Sequence, residues 1–338
     1  MIINSSNYNI HIGDDQLDYL KIENYSQIAI LLDENSNEHC LPILLDQRPE
    51  LKKAKIILIQ SGEINKNLIS CQVVWDHLSQ YYFDRNSLLI SLGGGVICDL
   101  GGFSASCFKR GIDFIHIPTT LLSMLDASVG GKTGIDFKSL KNQIGLFNNP
   151  KQVIICPIFL NTLEEKQIKS GFAEVIKHAL IWDKKYWEFL QKTNIGNANW
   201  KDIISKSVEI KNNIVEIDPL EKSIRKQLNF GHTIGHAIES YYLETSKEIL
   251  HGQAIALGMI IEAKMSDLKQ EEFIEIKKFI VENIDLPKLP SFDQVEKWFI
   301  HDKKNSSGKI QFSLLSSIGK CKENITFNQQ EIKKYFLI

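Results

Sequence analysis

The chain has 338 residues, of which 39 are lysine or arginine and 41 are aspartate or glutamate, so its formal charge is −2. A charge this close to zero argues against nucleic acid as a partner, and 43% hydrophobic with 24% charged residues excludes a disordered or fibrous protein. The length exceeds what one hydrophobic core usually supports, which predicts two domains.

The cysteines and the amino-terminal residues bear on the cellular compartment. The six cysteines are scattered without a CxxC pair, which argues against a disulfide framework or a thiolate zinc site. The first ten residues lack the basic and apolar regions of a secretion signal. No apolar run approaches the length of a membrane-spanning helix. We therefore expect a cytoplasmic protein with reduced thiols.

Three short apolar runs in the first half predict buried parallel strands, because each ends in a turn or a polar cluster. They are residues 27–35, 54–63 and 87–95, and residues 68–81 between them have helical spacing. This alternation predicts a Rossmann-like α/β domain with a mostly parallel sheet over residues 1–156. Ligands of such a sheet lie at the carboxyl ends of its strands, which here carry Asp33, Asn35, Gly62, Glu63, Gly93, Gly94 and Gly95.

The second half of the sequence differs from the first, because it has long stretches of helical periodicity and few strand signals. We expect a mostly α-helical domain over residues 157–338. The exception is Lys309 to Gly319, whose alternation predicts a short β pair.

The glycine-rich segment GGGVICDLGGF, Gly93 to Phe103, follows a predicted strand and opens a predicted helix. Glycines there let the backbone approach a pyrophosphate, and the helix amino end offers free N–H groups. The segment is not GxGxxG, so close strand-to-helix packing explains it equally well. Asp33 at a strand end, suited to ribose hydroxyls, favours the dinucleotide interpretation.

The segment SVGGKTGIDFKSLKNQIG, Ser128 to Gly145, places glycines before Lys132 and an asparagine after Lys141. Ammonium groups beside flexible backbone suit a phosphate ester, although the spacing excludes a P-loop. Further cations are Lys177, Lys211, Arg225, Lys303 and Lys304. In a nearly neutral protein these cations indicate a substrate with more than one anionic group, and solvated surface lysines are the alternative.

The strongest local signal is NFGHTIGHAIES, in which His232 and His236 lie four residues apart on one helix face and Glu239 follows a turn later. Two such imidazoles can share a divalent cation, but the segment is not HExxH, which excludes a zinc protease. His251 and Glu174 are further candidate ligands. Spacing does not decide whether His232 pairs with His236 or with His251, and a core or capping role is the alternative for each histidine.

Six blocks together resemble the 3-dehydroquinate synthase family: GGGVICDLGGFSASCFKRG, IPTTLLSMLDASVGGKTGID, KNQIG, GFAEVIK, NFGHTIGHAIE and LHGQAIALGM. The resemblance runs from about Asp33 to Cys321. It implies an NAD-binding amino-terminal domain, a helical metal-binding domain, an active site in the cleft between them and a homodimer.

The resemblance also implies a reaction, the conversion of 3-deoxy-D-arabino-heptulosonate 7-phosphate into 3-dehydroquinate and phosphate in the shikimate pathway. The steps are transient oxidation by NAD, phosphate elimination, reduction, ring opening and an intramolecular aldol closure. The implied cofactors are NAD and one divalent metal, zinc or cobalt.

The matched motifs imply roles for individual residues. The metal ligands would be Glu174, His232 and His251, with His236 facing the substrate. NAD would be held by Asp33, Asn35, Ser61, Gly62, Glu63, Lys66, Gly95, Val96, Ile97, Cys98, Asp99, Thr119, Thr120, Lys132, Lys141, Phe159, Leu160, Asn161 and Thr162. The substrate's anionic groups would meet Asp126, Lys132, Asn142, Lys177, Lys211, Arg225, Asn229, His236 and one of Lys303 and Lys304. Arg110 is expected to reach the partner subunit's site.

Some positions depart from the family pattern. Leu140 and Cys98 stand where the family usually has glycine, and the stretches 218–225 and 239–251 differ in length or composition. These departures bear on cofactor affinity or loop geometry more than on the type of reaction.

Other functions compete with this one. A relative acting on sedoheptulose 7-phosphate or glucose 6-phosphate would not need the carboxylate-binding set of Lys211, Arg225 and Asn229. An NAD- and metal-dependent polyol dehydrogenase would accumulate NADH with its product, whereas a cyclase would not. A non-catalytic binding protein is disfavoured because the charged site residues are all present.

Overall fold

A computed structural model describes residues 1–138, 140–245, 247, 249–300 and 309–336. The chain divides into two compact units. Unit 1 comprises residues 1–164 and 200–212, and unit 2 comprises residues 165–199 and 213–338. Within the described residues, no helix has the length and apolar character needed to cross a membrane.

Unit 1 is built on a seven-stranded sheet, in which every neighbouring pair is parallel except β1 with β2. Its order is β1-β2-β9-β6-β5-β3-β4, with β1 (Ile2–Asn4), β2 (Asn9–Ile12), β3 (Ile28–Asp33), β4 (Lys55–Ile59), β5 (Leu88–Gly93), β6 (Asp113–Pro118) and β9 (Gln152–Ile155). Every residue of β5 is buried, as expected for a strand covered on both faces. The prediction of a mostly parallel α/β domain is confirmed.

The helices of unit 1 are α1 (Glu34–His39), α2 (Leu41–Gln47), α3 (Leu68–Gln80) and α4 (Gly95–Cys107). The Asn67 side chain accepts a hydrogen bond from the Ser70 N–H and so fixes the start of α3. Val74 and Leu78 of α3 pack with Leu100 of α4 and Leu31 of β3 in one buried core. This core holds the carboxyl ends of β3 and β5 in place.

The strand order places a topological switch between β3 and β5. The chain leaves β3 for β4 on one side and then returns to form β5 on the other side of β3. Ligands of open α/β sheets bind at such switch points, outside the carboxyl ends of the strands. Here those ends carry Asp33 and the glycines 93–95.

Sequence patterns did not reveal the hairpin of β7 (Lys132–Phe137) and β8 (Leu140–Phe147), which pairs antiparallel. Two glycines of this hairpin, Gly134 and Gly145, allow its strands to pair closely. A Cβ atom at Gly145 would lie 2.4 Å from the Thr133 carbonyl oxygen. Gly134, which pairs opposite Gly145, is crowded by the backbone of β8 in the same way.

Unit 2 is mainly helical. Its helices are α5 (Glu165–Trp182), α6 (Lys184–Leu190), α8 (His232–Glu244), α9 (His251–Met265), α10 (Gln270–Asn283), α11 (Phe292–Ile300) and α12 (Gln329–Lys333). The intervening α7 (Trp200–Ile217) belongs to unit 1 through residue 212 and to unit 2 after it.

The predicted β pair in unit 2 has different bounds from those expected. Lys309 to Gly319 contains a single strand, β10 (Ile310–Ser317), and its antiparallel partner is β11 (Lys320–Phe327). Gly319 has a φ of +85°, which makes the tight turn between the strands possible. Along β11 the side chains alternate between exposed and half-buried positions. No side chain of this strand is fully buried, and several are charged, so its sequence lacks the continuous apolar alternation that predicts a strand.

Helices α8 and α9 run in opposite directions with their backbones in close contact. A Cβ atom at Gly258 would lie 2.0 Å from the Gly231 carbonyl oxygen, and one at Gly235 would lie 3.1 Å from the Ala254 carbonyl oxygen. Ile234 and Ile261 join Phe299 of α11 and Phe312 of β10 in the core of unit 2. The histidine-bearing ends of α8 and α9 are therefore supported by a packed layer.

Candidate active site

The glycine turn of unit 1 opens toward the amino end of α4. Gly94 is the N-cap of α4 and, as a glycine, has no side chain with which to cap the helix. The Thr119 N–H donates to the Gly93 carbonyl oxygen at 2.9 Å. A Cβ atom at Gly94 would lie 3.3 Å from Thr120 Cγ2, so a larger residue would fit here only with a small shift of Thr120. Uncapped N–H groups and a close backbone suit a pyrophosphate.

The neighbouring carboxyl end of β3 carries two of the predicted NAD contacts, of which Asp33 is the one suited to ribose hydroxyls. Asp33 is the N-cap of α1 and accepts a hydrogen bond from the Ser36 N–H at 2.8 Å. Asn35 lies exposed in the first turn of α1. The structure thus brings Asp33 and the Gly95 turn to adjacent strands, as the dinucleotide interpretation requires.

Four of the predicted cofactor contacts belong to one charge cluster. Lys66 is 4% exposed, and its Nζ lies 3.0 Å from Asp99 Oδ2, 3.3 Å from Glu63 Oε1 and 4.0 Å from Asp136 Oδ1. Lys141 Nζ lies 3.4 Å from Glu63 Oε1. Two ammonium groups thus face three carboxylates in this cluster.

Burial and charge act in opposite directions in this cluster. Burial disfavours the charge of Lys66, but the carboxylates of Asp99, Glu63 and Asp136 outweigh burial and raise the pKa of Lys66 above its ordinary value. Burial also raises the pKa of Asp99 and of Asp136, against the pull of Lys66. Lys66 is consequently a fixed cation at neutral pH.

The other predicted cofactor residues lie in three places. In α4, Val96 is half-buried while Ile97 and Cys98 are buried, and burial raises the pKa of the Cys98 thiol well above its usual range. The Ser61 N–H and Oγ donate to the Glu34 carboxylate at 2.9 and 2.6 Å, next to Gly62 with its φ of +99°. In the 3-10 turn Pro157–Thr162, Phe159 and Leu160 are buried and Asn161 and Thr162 are exposed.

The polar candidates for substrate in unit 1 include one direct pair. Lys211 Nζ donates to the Asp126 carbonyl oxygen at 2.5 Å and also contacts Asp126 Oδ1. Asp126 lies in the π-helical turn Ser123–Ala127, a local irregularity common at functional sites. Lys132 is exposed at the start of β7, and the Asn142 N–H donates to Asp136 Oδ1 at 2.8 Å.

Two of these positions have left-handed backbone. Asn142 has a φ of +52° and Arg110 a φ of +70°, and both are exposed. A non-glycine residue in this conformation is uncommon and marks a position worth testing for function.

Three histidines in unit 2 come together in one cluster. Ligand atoms of His232, His236 and His251 all lie within 4.8 Å of one another. Gly231, with a φ of +81°, turns the chain into α8 so that His232 is the first helical residue. His232 Nδ1 lies 3.2 Å from the Phe230 carbonyl oxygen, which leaves Nε2 directed at the cluster.

Glu174 extends the cluster from α5. Glu174 is fully buried, and its Oε1 lies 3.6 Å from His232 Nε2. Its Oε2 forms an ion pair with Lys177, which is 1% exposed. Among the described residues, nothing donates a hydrogen bond to Glu174 Oε1. A buried carboxylate oxygen in this state, beside imidazole nitrogens, fits a divalent cation such as zinc or cobalt.

The geometry is compatible with both candidate pairings of His232, with His236 and with His251. His236 is exposed and lies within reach of the same point as His232 and His251, while Glu174 approaches from the buried side of His232. A set of Glu174, His232 and His251 would leave His236 facing solvent or a ligand.

Two carboxylates without a predicted role, Asp218 and Glu221, organise the chain before α8. Asp218 accepts hydrogen bonds from the N–H groups of Lys222, Ser223 and Arg225, at 2.9, 2.6 and 3.1 Å. Burial opposes ionisation of Asp218, but these N–H groups prevail and lower the pKa of its carboxyl. Glu221 Oε1 accepts a hydrogen bond from Asn229 Nδ2 at 2.8 Å.

The stretch 218–225 therefore holds two of the predicted substrate residues, the backbone of Arg225 through Asp218 and the amide of Asn229 through Glu221. Arg225 is 2% exposed, and its guanidinium donates to the Pro219 carbonyl oxygen at 2.6 Å. The signal that could have found Asp218 is its position before proline at the end of a predicted helix, where Asp often caps a turn. Lys303 and Lys304 lie outside the described residues.

A further residue without a predicted role is Glu262, a lone carboxylate in the apolar helix α9. It is fully buried, with Oε2 accepting from the Gly231 N–H at 2.6 Å and Oε1 from the Ile234 N–H at 3.1 Å. Glu239 of α8 also has no predicted role. Its Oε1 lies 3.4 Å from His251 Nδ1.

Comparison with known proteins identifies the family of the chain. Residues 56–170 match the family model described as 3-dehydroquinate synthase N-terminal, and residues 171–305 match the one described as 3-dehydroquinate synthase C-terminal. The 3-dehydroquinate synthase of Parabacteroides distasonis is 41% identical over 326 residues, covering 93% of this chain and 92% of the relative.

Solved structures share the fold. A 2-deoxy-scyllo-inosose synthase complexed with carbaglucose-6-phosphate, NAD+ and Co2+ has a TM-score of 0.85 and 23% identity, covering 99% of each chain. A 2-epi-5-epi-valiolone synthase from Streptomyces hygroscopicus subsp. jinggangensis, with NAD+ and Zn2+ bound, has a TM-score of 0.86 and 22% identity, covering 99% of this chain and 97% of the other.

Proposed function

The chain belongs to the 3-dehydroquinate synthase family, and we propose on this premise that it converts 3-deoxy-D-arabino-heptulosonate 7-phosphate into 3-dehydroquinate and phosphate. The observation that carries the proposal is the buried Glu174 carboxylate beside the cluster of His232, His236 and His251. A dinucleotide crevice and a metal centre in one chain are what a cyclase with an internal redox cycle needs.

We assign the metal to Glu174, His232 and His251, and NAD to the crevice formed by Asp33 and the glycine turn that opens at Gly95. Two solved proteins of this fold hold NAD+ together with Co2+ or Zn2+, which supports the same pairing here. When bound, the cation supplies Lewis acidity to neighbouring hydroxyls and NAD supplies a hydride acceptor. His236, exposed at the cluster, is then available to hydrogen-bond the substrate.

The cations of the site have separate tasks. Arg225 and Lys177 are 2% and 1% exposed, so a substrate anion that meets them does so with little competition from water. Asp126 holds Lys211 in one orientation, and Glu221 holds the Asn229 amide. Fixed donors of this kind bind a phosphate and a carboxylate without reorganising during the reaction.

The organisation of the protein is part of the proposal. We assign cofactor binding to residues 1–156 and metal and substrate binding to residues 157–338. We also propose a cytoplasmic homodimer in which Arg110 reaches the partner subunit's site. The cytoplasm is supported by the six cysteines, all within the described residues, none of which forms a disulfide. Sedimentation velocity tests the dimer, and a monomer at micromolar concentration would contradict it.

Substrate choice gives the test that distinguishes this activity from a related cyclase. The metal-loaded protein with NAD is mixed separately with the heptulosonate phosphate and with sedoheptulose 7-phosphate, and released phosphate is measured. We expect release only from the heptulosonate, because the second sugar lacks the carboxylate that the cations would otherwise leave unpaired. Turnover of sedoheptulose 7-phosphate alone would contradict the proposal.

A further inference from the structure

Helices α8 and α9 each contribute a carboxylate that contacts the first turn of the other helix or the residue that precedes it. Glu262 of α9 binds two N–H groups at the start of α8, next to His232. Glu239 of α8 lies beside His251, the first residue of α9. Each helix therefore supplies a carboxylate to the histidine-bearing end of the other.

The contact between Glu239 and His251 resembles that between a metal-ligating histidine and a carboxylate that holds its second ring nitrogen. Oε1 of Glu239 lies 3.4 Å from Nδ1 of His251, and the two side chains are 11% and 22% exposed. When Nδ1–H faces a carboxylate, the proton stays on that nitrogen and Nε2 keeps its lone pair. The carboxylate also makes Nε2 a stronger donor to a cation.

His232 is oriented differently, because its Nδ1 lies 3.2 Å from the neutral Phe230 carbonyl oxygen. A carbonyl fixes the tautomer but carries no net charge, so it strengthens the imidazole less than a carboxylate does. The backbone packing of Gly235 against Ala254 restricts any sliding of α8 along α9. The position of Glu239 relative to His251 is thus set by the fold.

We propose that Glu239 is a positioning residue of the metal centre, which holds the Nδ1–H of His251 and directs its Nε2 toward the cation. This inference rests on the proposed function, because it takes His251 as a metal ligand. Glu239 itself does not touch substrate, cofactor or metal in this assignment.

The test measures metal affinity directly. Co²⁺ is titrated into the metal-free full-length protein against a competing chelator, and its visible absorption reports the ligand field. We expect Glu239→Gln to weaken Co²⁺ binding by about 10- to 100-fold, the range typical of lost outer partners of metal ligands, and to shift the cobalt absorption bands. The thermal unfolding temperature of the metal-free protein should change little. A merely structural role of Glu239 would instead lower that temperature.

The matched control is Glu244→Gln. Glu244 is also on α8, its side chain is 52% exposed, and it pairs with Lys297 at 2.5 Å. Co²⁺ affinity and spectrum should remain those of the parent protein. If Glu239→Gln does not fold, Glu239→Met fills a similar volume without a carboxylate and is measured in its place.

A double-mutant cycle with His251→Ala tests whether Glu239 acts through His251. We expect Glu239→Gln to cause no further loss of affinity once His251 is absent. Parental affinity and spectrum in Glu239→Gln, or fully additive losses in the double variant, would overturn the role of Glu239 and leave the proposed function standing. Failure of the parent protein to bind Co²⁺ would overturn both.

Discussion

At the scale of single residues, burial leaves some ionisable groups with little freedom to change charge. His116 of β6 is 2% exposed and packs against the Phe114 ring at 5.1 Å between centroids. Burial lowers its pKa from 6.5 to about 3. The native protein therefore requires a neutral imidazole here, whereas the unfolded chain accepts a proton near pH 6.5.

The consequence for pH follows from the sign of this shift. Because the pKa is depressed in the folded state, the stability contributed by His116 is present above pH 6.5 and is lost as the pH falls toward 3. We expect about 2 kcal/mol of that stability to be lost between pH 7 and pH 5. His116→Leu should flatten the pH dependence of the urea midpoint in this range, and His39→Gln at an exposed position should not. An unchanged slope in His116→Leu would contradict the expectation.

The environment of Lys66 leads to a second prediction, which concerns the free energy of unfolding. Its ammonium is surrounded by the carboxylates of Asp99, Glu63 and Asp136. Lys66→Met would leave these carboxylates without their buried cation and should reduce the free energy of unfolding by about 3–5 kcal/mol. Urea denaturation measures this change. Lys52→Met, at an exposed lysine, is the control and should alter stability by less than about 0.5 kcal/mol.

Residue types and spacing were enough to locate many of the candidates, and the structure shows why some were beyond reach. A helical repeat and the start of the following helix point to His232, His236 and His251, and these three side chains do converge. Asp218 and Glu262 act on backbone N–H groups in a turn and at a helix start, so their roles depend on tertiary contacts. A single sequence gives no such contacts.

At the scale of elements, the α8–α9 pair depends on glycines where the helices meet. The Cβ of an alanine at position 258 would lie 2.0 Å from the Gly231 carbonyl oxygen and 2.7 Å from the Gly235 nitrogen. Both neighbours are backbone atoms that cannot rotate away. The start of α8, and with it His232, would have to move.

Gly258→Ala should therefore destabilise the protein by at least about 1–3 kcal/mol, the usual cost of overpacking, and should weaken metal binding. Thermal unfolding and Co²⁺ titration measure the two effects. Gly95→Ala is the comparison for stability, because a Cβ atom there would meet Ala127 Cβ at an ordinary 3.4 Å. Equal stability of the two variants would show that α8 and α9 can separate without cost.

Elements with a clear period were predictable and elements hidden by composition were not. The helix predicted over 68–81 is observed over 68–80, since apolar periodicity and the Asn67 cap agree. The hairpin β7–β8 was not predictable because its glycines and lysines are typical of loops. Strand β11 was not predictable because Lys320, Lys322 and Glu323 leave only its second half with an apolar alternation. In each case strand pairing overrides local propensity.

At the scale of the whole molecule, the net charge near zero conceals how the charged groups are distributed. The charged groups proposed for catalysis are distributed over both units, with Lys132 and Lys211 in unit 1 and Lys177 and Arg225 in unit 2. Carboxylates accompany two of these cations, Asp126 at Lys211 and Glu174 at Lys177. The net charge of the chain therefore does not reveal these cations, and a doubly anionic sugar acid is compatible with a protein that is nearly neutral as a whole.

The central claim is that the chain uses its metal and dinucleotide sites for one cyclisation, with no net oxidation. The most direct measurement follows released phosphate and NADH absorbance in the same sample of protein, NAD, Zn²⁺ and the heptulosonate phosphate. We predict many turnovers of phosphate per protein with no lasting rise in NADH, and loss of phosphate release when a chelator removes the metal. Accumulation of NADH in step with product, without phosphate release, would identify a dehydrogenase and contradict the account.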